Sequence, residues 1–242
     1  MAYQVNMDQS LTANMRNGEE FEGVALPYLP QRIENFVLFA GDAAAKPDSR
    51  QGDLPALDQS PLNEGLHILA YQSRIETLNY ENWDKFQRFV DHKDLGDVRT
   101  QHEARNLPDE NFKEVYGRYA KSLIGVGNGT GSDRRVGLET EIVALLNPYT
   151  DDLTTGMQVQ LHYRDQLRSD EQIEVFEKAP DGSVKISLYR TDAEGVGVFP
   201  VKPGHEYMVD AVVLREPSAD MARNTGAVWQ TLWANLTFGV PE

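Results

Sequence analysis

Met157-Gln158-Val159-Gln160-Leu161-His162-Tyr163-Arg164 alternates apolar and polar side chains without a break, so an extended chain here has one dry face and one wet face. A half-buried strand follows. The rhythm repeats around turn chemistry: Ile173 and Val175 lead into Pro180-Asp181-Gly182-Ser183, and Val184, Ile186 and Leu188 lead out of it. Thr191-Asp192-Ala193-Glu194-Gly195 makes the next turn, before Val196, Val198 and the edge-compatible Pro200. Beyond Pro203-Gly204, residues 205–214 and 228–240 read as two further strands. About seven strands in about 105 residues is the density of an immunoglobulin-like sandwich. In the closing strand Trp229, Thr231 and Trp233 share one face while Leu232, Ala234, Leu236 and Phe238 share the other. Both faces therefore belong inside something.

Working toward the amino terminus, residues 3–7, 11–16, 33–40 and 66–78 read as strands, and residues 41–65, rich in Asp, Ala, Pro and Gly, as a long surface loop. Trp83, Phe86, Phe89 and Val90 fall at helical spacing, which predicts an amphipathic helix over 82–92 that stops near Gly96. Phe112, Val115, Tyr116, Tyr119, Ala120 and Leu123 follow the same series and predict a second helix, entered through Pro108 and Asp109 and ended by Gly125 and Gly127. Residues 127–133 read as a linker. The expected organisation is mainly β: an N-terminal β domain over 1–80, a helical segment over 81–125 and a C-terminal sandwich over 136–242. That is two immunoglobulin-like β-sandwich domains with a short helical insertion between them.

Composition narrows the chemistry. The formal charge of -15 repels phosphate backbones and anionic headgroups, which argues against nucleic acid as a partner and leaves cations and basic surfaces open. An acidic surface is also simply a soluble one. With no cysteine, disulfides, thiolate metal sites and cysteine nucleophiles are excluded. No apolar run approaches the ~18 residues of a membrane span.

Candidate sites are sparse. His67, His92, His102, His162 and His205 are isolated from one another in sequence, so a transition-metal site requires convergence of separated loops, with His67, His92 and His205 as candidates. Hydrogen-bonded structural histidines are the plainer reading. Asp151-Asp152 and Asp192 with Glu194 lack the ligand spacing of a calcium loop and read as turn formers. There is no Gly-x-Ser-x-Gly elbow to activate Ser60 or Ser122, and residues 127–131 lack the Gly-Lys-Ser/Thr ending of a phosphate loop. The 38 acidic residues always offer pairs, so paired carboxylates carry no signal. The stripe of Trp83, Phe86, Tyr116 and Tyr119 packs on a sheet more readily than it lines a groove, with Arg118 and Lys121 solvated on its flank. Trp229 and Trp233, if exposed together, mark an interface.

Five segments carry a family resemblance: Glu81-Asn82-Trp83-Asp84-Lys85-Phe86, Tyr116-Gly117-Arg118-Tyr119-Ala120-Lys121-Ser122-Leu123, Leu188-Tyr189-Arg190-Thr191-Asp192-Ala193-Glu194-Gly195, Val201-Lys202-Pro203-Gly204-His205-Glu206-Tyr207 and Val228-Trp229-Gln230-Thr231-Leu232-Trp233-Ala234. With them the chain resembles the domain of unknown function 4198 family, proteobacterial periplasmic proteins often labelled nickel-uptake or NikM-like. The Thr-Asp-x-x-Gly turn also looks like that of transthyretin-like and carboxypeptidase-regulatory-like modules, which are commonly non-catalytic. The resemblance implies export to the periplasm, with a leader removed, and immunoglobulin-like β domains. Family members typically begin, after leader removal, with a His followed closely by an aromatic pair, and Met1-Ala2-Tyr3 departs from that. The expectation is a non-enzymatic periplasmic binding or accessory protein linked to transition-metal uptake of the nickel or cobalt type. Its implied partners are a divalent transition metal and an envelope transporter or receptor. The alternative is a structural or protein-interaction module of the cell envelope, with a carbohydrate-active hydrolase, which no motif supports, behind it.

Overall fold

The computed structural model describes residues 2–18 and 21–242. Short strands β1 (Gln4–Val5), β2 (Leu11–Ala13), β3 (Met15–Asn17) and β4 (Val24–Leu26) lead to β5 (Ile33–Ala40), β6 (Ala43–Ala45), β7 (Leu57–Gln59), β8 (Gly65–Ser73) and β9 (Glu76–Asn82). Helices α1 (Trp83–His92) and α2 (Val98–Ala104) precede β10 (Glu110–Val126), β11 (Thr140–Ala144), β12 (Met157–Tyr163) and β13 (Gln166–Leu167). Then come β14 (Gln172–Lys178), β15 (Val184–Arg190), β16 (Val196–Phe199), β17 (Glu206–Arg215), helix α3 (Ala219–Thr225) and β18 (Ala227–Gly239). The chain is mainly β, as expected.

The principal departure is β10. Where the spacing predicts a helix over 112–123, the chain runs as one strand of 17 residues. Both of its faces are covered: Phe112, Glu114 and Ile124 are buried on one side, and Val115, Tyr119 and Leu123 on the other. A strand buried on both faces loses the period-two signature, and its apolar residues then mimic helical spacing by chance. The remaining guide is residue type, and a segment rich in Tyr, Phe, Val and Ile favours a strand. Helix α1 lies where predicted, with the Asn82 side chain accepting a hydrogen bond from the Lys85 amide at 3.1 Å as its N-cap. The predicted loop over 41–65 contains β6 and β7, and the predicted strand over 66–78 is divided between β8 and β9.

Strand β10 holds together a ten-stranded sheet in the order β15-β14-β17-β18-β10-β8-β5-β6, with β1 and β9 also paired to β10. It runs parallel to β18 from Lys113 to Ser122 and antiparallel to β9 over its first half and β8 over its last four residues. Its hydrogen bonds thus reach strands on both sides of the predicted helical segment. A smaller four-stranded sheet, β11-β12-β13 with β16 on β12, packs on one face of the large sheet through a core that includes Leu123, Met157, Val159, Leu161, Val209 and Leu236. On the opposite face, α1 and α2 cover one region with Trp83, Phe86 and Val90, and the β2–β7 pair covers another with Leu11, Ala13 and Leu57. Among the described residues, no helix is long and apolar enough to cross a membrane.

The crossing from β10 to β11, predicted as a linker, is a braced loop. Asn147 Nδ2 donates to the carbonyls of Gly129 at 2.8 Å and Gly131 at 2.9 Å, and the Leu66 amide donates to Thr130 O. Gly129 and Gly131 have φ of +62° and +133°, conformations that glycine adopts at little cost. Lys121, expected to be solvated, is 1% exposed and holds this loop from beneath. Its ammonium reaches Asp133 Oδ1 at 2.7 Å, Glu141 Oε1 at 3.1 Å and the Arg134 carbonyl at 2.9 Å.

Candidate functional site

The three histidines proposed for a metal are not brought together. His67 is fully buried in β8 and uses both ring nitrogens: Nε2 accepts from the Leu62 amide at 3.1 Å, and Nδ1 donates to Gly65 O at 3.2 Å. Burial pushes its pKa down, in keeping with that neutral tautomer. His92, at the end of α1, has Nε2 3.0 Å from Glu174 Oε1. His205 Nδ1 lies 3.0 Å from Glu177 Oε1. Glu174 and Glu177 stand three residues apart on β14, so their side chains leave opposite faces of the sheet. Between β14 and β8 lie β17, β18 and β10, so the strand that carries His67 lies roughly 19 Å across the sheet from the strand that His92 contacts through Glu174. Among the described residues, no group of three or more His, Asp or Glu side chains is arranged to hold a metal ion.

His92 and Trp233 flank one charged cluster at the C-terminal end of α1. Lys93 extends over the sheet between two buried carboxylates, bonding Glu174 from β14 and, at 2.7 Å, Asp210 from β17. Asn235 of β18 donates to the second Asp210 oxygen at 2.7 Å, and the Lys93 ammonium lies 5.1 Å from the centre of the Trp233 ring. His92 takes the remaining side of Glu174, while its carbonyl accepts from Gln172 at 2.8 Å. Burial raises the pKa of Asp210 despite the nearby ammonium. Burial works against charge on Lys93 too, yet Asp210 and Glu174 together hold its pKa above the ordinary value. The site is therefore a cation pocket whose cation is Lys93. Glu174, Asp210 and His92 are donors of the type divalent metals accept, but a fixed ammonium stands between the carboxylates, so the set does not fit a metal while Lys93 is in place. The sequence signal was one charged residue inside an apolar run, as in Val209-Asp210-Ala211-Val212.

The tryptophans of β18 face the helices. Trp229 is enclosed: its ring stacks on Phe86 at 6.1 Å, its Nε1 donates to His102 Nδ1 at 3.1 Å, and the Arg105 guanidinium lies 4.7 Å from its centre. His102 Nε2 donates to Pro108 O at 3.1 Å, so this buried imidazole is also neutral, and burial lowers its pKa. Trp233 is partly exposed, stacked on Phe89 at 5.6 Å. Its Nε1 donates to Thr231 Oγ1 at 3.0 Å, and that hydroxyl donates to the buried carboxyl of Glu114.

Glu114 gives a test with a defined pH sign. Its carboxyl is hydrogen-bonded by Thr231 and Tyr80, yet burial outweighs these bonds and raises its pKa above the ordinary 4.5. The folded chain thus keeps a proton that the unfolded chain releases, and the stability gained from this is full below the ordinary value and lost as pH rises through the folded one. Glu114→Gln keeps an acceptor for Thr231 and cannot ionise. We expect it to raise the urea midpoint at pH 8 relative to the parent, by about 1–3 kcal/mol of stability, and to have much less effect at pH 4.5. An equal effect at both pH values would refute the assignment.

The remaining candidates are structural. Asp192 Oδ1 accepts from the amides of Glu194 and Val196, Asp151 from Asn147 and Asp152 from Thr154, so these carboxylates close turns. Ser122 Oγ lies 2.6 Å from Thr237 Oγ1 on the central strands. Tyr116 donates to Glu76, which also holds Arg32, while Arg118 lies over the Tyr116 ring. A hollow of about 120 Å³ between Glu64, Gly65, Thr130, Gly131 and Arg134 is smaller than the ~300 Å³ of ordinary ligand pockets.

Comparisons with curated proteins and with solved structures give no match. A family model does match, ending at the last residue of β17 and leaving β18 with its tryptophans beyond the matched span. That match to the domain of unknown function DUF4198 covers residues 2–215 of the 242, and the chain belongs to that family.

Proposed function

We propose that this protein is a non-enzymatic periplasmic binding or accessory module that works through its surface, and that the process it serves is transition-metal uptake. The observation that carries the non-enzymatic part is how the buried charges are used. Lys93 braces α1 to the sheet through Glu174 and Asp210, and Lys121 braces the β10–β11 crossing through Asp133 and Glu141. Each of these groups holds the fold together. The metal-uptake part draws on the family resemblance and on the acidic field, which concentrates cations near the surface. Direct coordination by His67, His92 and His205 is no part of the reading. The finer description of the sandwich as immunoglobulin-like belongs to the same proposal, supported by the strand density of residues 136–242.

The test compares nickel and cobalt accumulation in cells lacking the protein and in complemented cells, beside calorimetry of the purified chain with nickel, cobalt, copper and zinc. An accessory role predicts impaired uptake without tight binding by the isolated protein. Unchanged accumulation of both metals would remove the uptake reading, and a saturating heat at one metal per chain would replace the accessory role with direct binding. An interaction role has its own support in the edge of the large sheet.

A further inference from the structure

Strand β15 closes the large sheet at one end and, among the described residues, pairs only with β14. Ala179 donates to Ser183 O and Thr191 donates to Glu171 O, which fixes the phase of the antiparallel ladder. Lys185, Ser187 and Tyr189 exchange bonds with β14, while Val184, Ile186 and Leu188 direct their amides and carbonyls outward. Among the described residues none of these outward groups has a main-chain partner. Ile186 and Leu188 are 39% and 56% exposed. The opposite end of the sheet is the three-residue β6, whereas β15 offers seven residues. A long edge with exposed apolar side chains is a template for strand addition.

We propose that the occupant of this edge is a second copy of the chain, its β15 running antiparallel about a two-fold axis at Ser187. In that register Ile186 lies opposite the partner's Leu188, Leu188 opposite the partner's Ile186, and Val184 opposite the partner's Arg190. These are residues whose amides and carbonyls point outward, so main-chain hydrogen bonding is compatible with this register. On the other face Lys185 lies opposite the partner's Tyr189, and no two like charges stand directly across from each other. Arg190 already bonds Asp94 and Asp170 within its own chain, so its charge is compensated before the copies meet. The two large sheets then join into one.

A seven-residue strand is roughly 23 Å long, and a strip of that length one strand wide falls short of the ~1,200 Å² of stable complexes. The dimer is therefore weak. Each copy carries a formal charge of -15, so added salt screens the repulsion and strengthens it. An acidic peptide drawn to Lys185 would instead bind less well in salt. The proposal goes beyond the functional reading: dimerisation stands whether or not metal uptake is impaired.

Sedimentation equilibrium of the whole protein from about 5 to about 500 µM should show the average mass rising toward that of two chains, more so at high salt. Leu188→Lys should weaken association by about tenfold or more, because the two-fold axis counts each change twice. Ile186→Pro should do the same without removing a bond to β14, since the amide at 186 points outward. Unchanged thermal midpoints for both variants would show that folding is intact. In a chain without cysteine, Ser187→Cys should oxidise to a covalent dimer, whereas Lys185→Cys, about four residues out of register with its own copy, should not. A monomer throughout the concentration range, or equal cross-linking of both cysteine variants, would overturn the proposal.

Discussion

Lys121→Met is expected to destabilise the protein by about 3–5 kcal/mol at pH 7, the cost of leaving buried carboxylates without their counter-ion. The side chains of Lys121, Asp133 and Glu141 are each at most 1% exposed. Met fills the same space, so the loss is electrostatic. Asp133 would keep the amides of Arg134 and Ala144, each at 2.8 Å, and Glu141 those of Val136 and Leu138. Those four donors do not replace a positive charge. Burial already raises the pKa of Asp133 with Lys121 present, and without the ammonium it rises further. Protonation then relieves the variant, so its deficit should shrink as pH falls toward 5. Against a total stability of about 5–15 kcal/mol the change is large, and for a chain of this size it lowers the thermal midpoint by about 10 °C. Adding Asp133→Asn and Glu141→Gln to Lys121→Met should recover most of the loss, because a neutral hydrogen-bonded cluster has no charge to desolvate. A midpoint for Lys121→Met within a degree of the parent at pH 7 would show that these carboxylates reach water.

The same lysine marks the boundary of what can be read from the chain. Where one face of a strand is covered, as in β12, alternation was visible and the strand stands where it placed it. Helix α1 was legible for the complementary reason: Trp83, Phe86 and Val90 present one stripe and the rest of the helix is wet. Strand β10 hid because both faces are packed. On a helix, Lys121 would have fallen on a solvated flank; on a strand, it points with Tyr119 and Leu123 into the layer between the sheets. One error of period therefore produced the other of burial. Helix α2 was missed because seven residues give too few turns for a stripe to be distinguished. The charge clusters are assembled from strands far apart in sequence, Lys93 with Glu174 and Asp210 for example, and no local spacing encodes such a contact. A solitary charge inside an apolar run was the available clue. It identifies a buried group without naming its partner.

Trp229→Ala should cost about 3–5 kcal/mol, the range for removing a fully enclosed aromatic side chain, and the damage should centre on α1 and α2. Trp229 joins these helices to the sheet: Phe86 from α1 stacks on its ring, His102 from α2 accepts its N–H, and Arg105, just beyond α2, covers it with a guanidinium. Removing the indole opens a cavity beneath both helices and leaves His102 Nδ1, fully buried, with no donor. Trp229→Phe separates the two contributions. It retains most of the packing and loses the hydrogen bond, so about 1–2 kcal/mol is expected. Amide exchange in α2 should accelerate in both variants while exchange in β12 and β16, in the smaller sheet on the other face, changes only through global stability. Trp233→Ala provides the contrast, because that ring is partly exposed and truncation there should cost clearly less than at Trp229. If Trp229→Ala unfolded within about 1 kcal/mol of the parent, the indole could not be the element that fastens the helices. The helical cover would then be held chiefly by Lys93 and its two carboxylates.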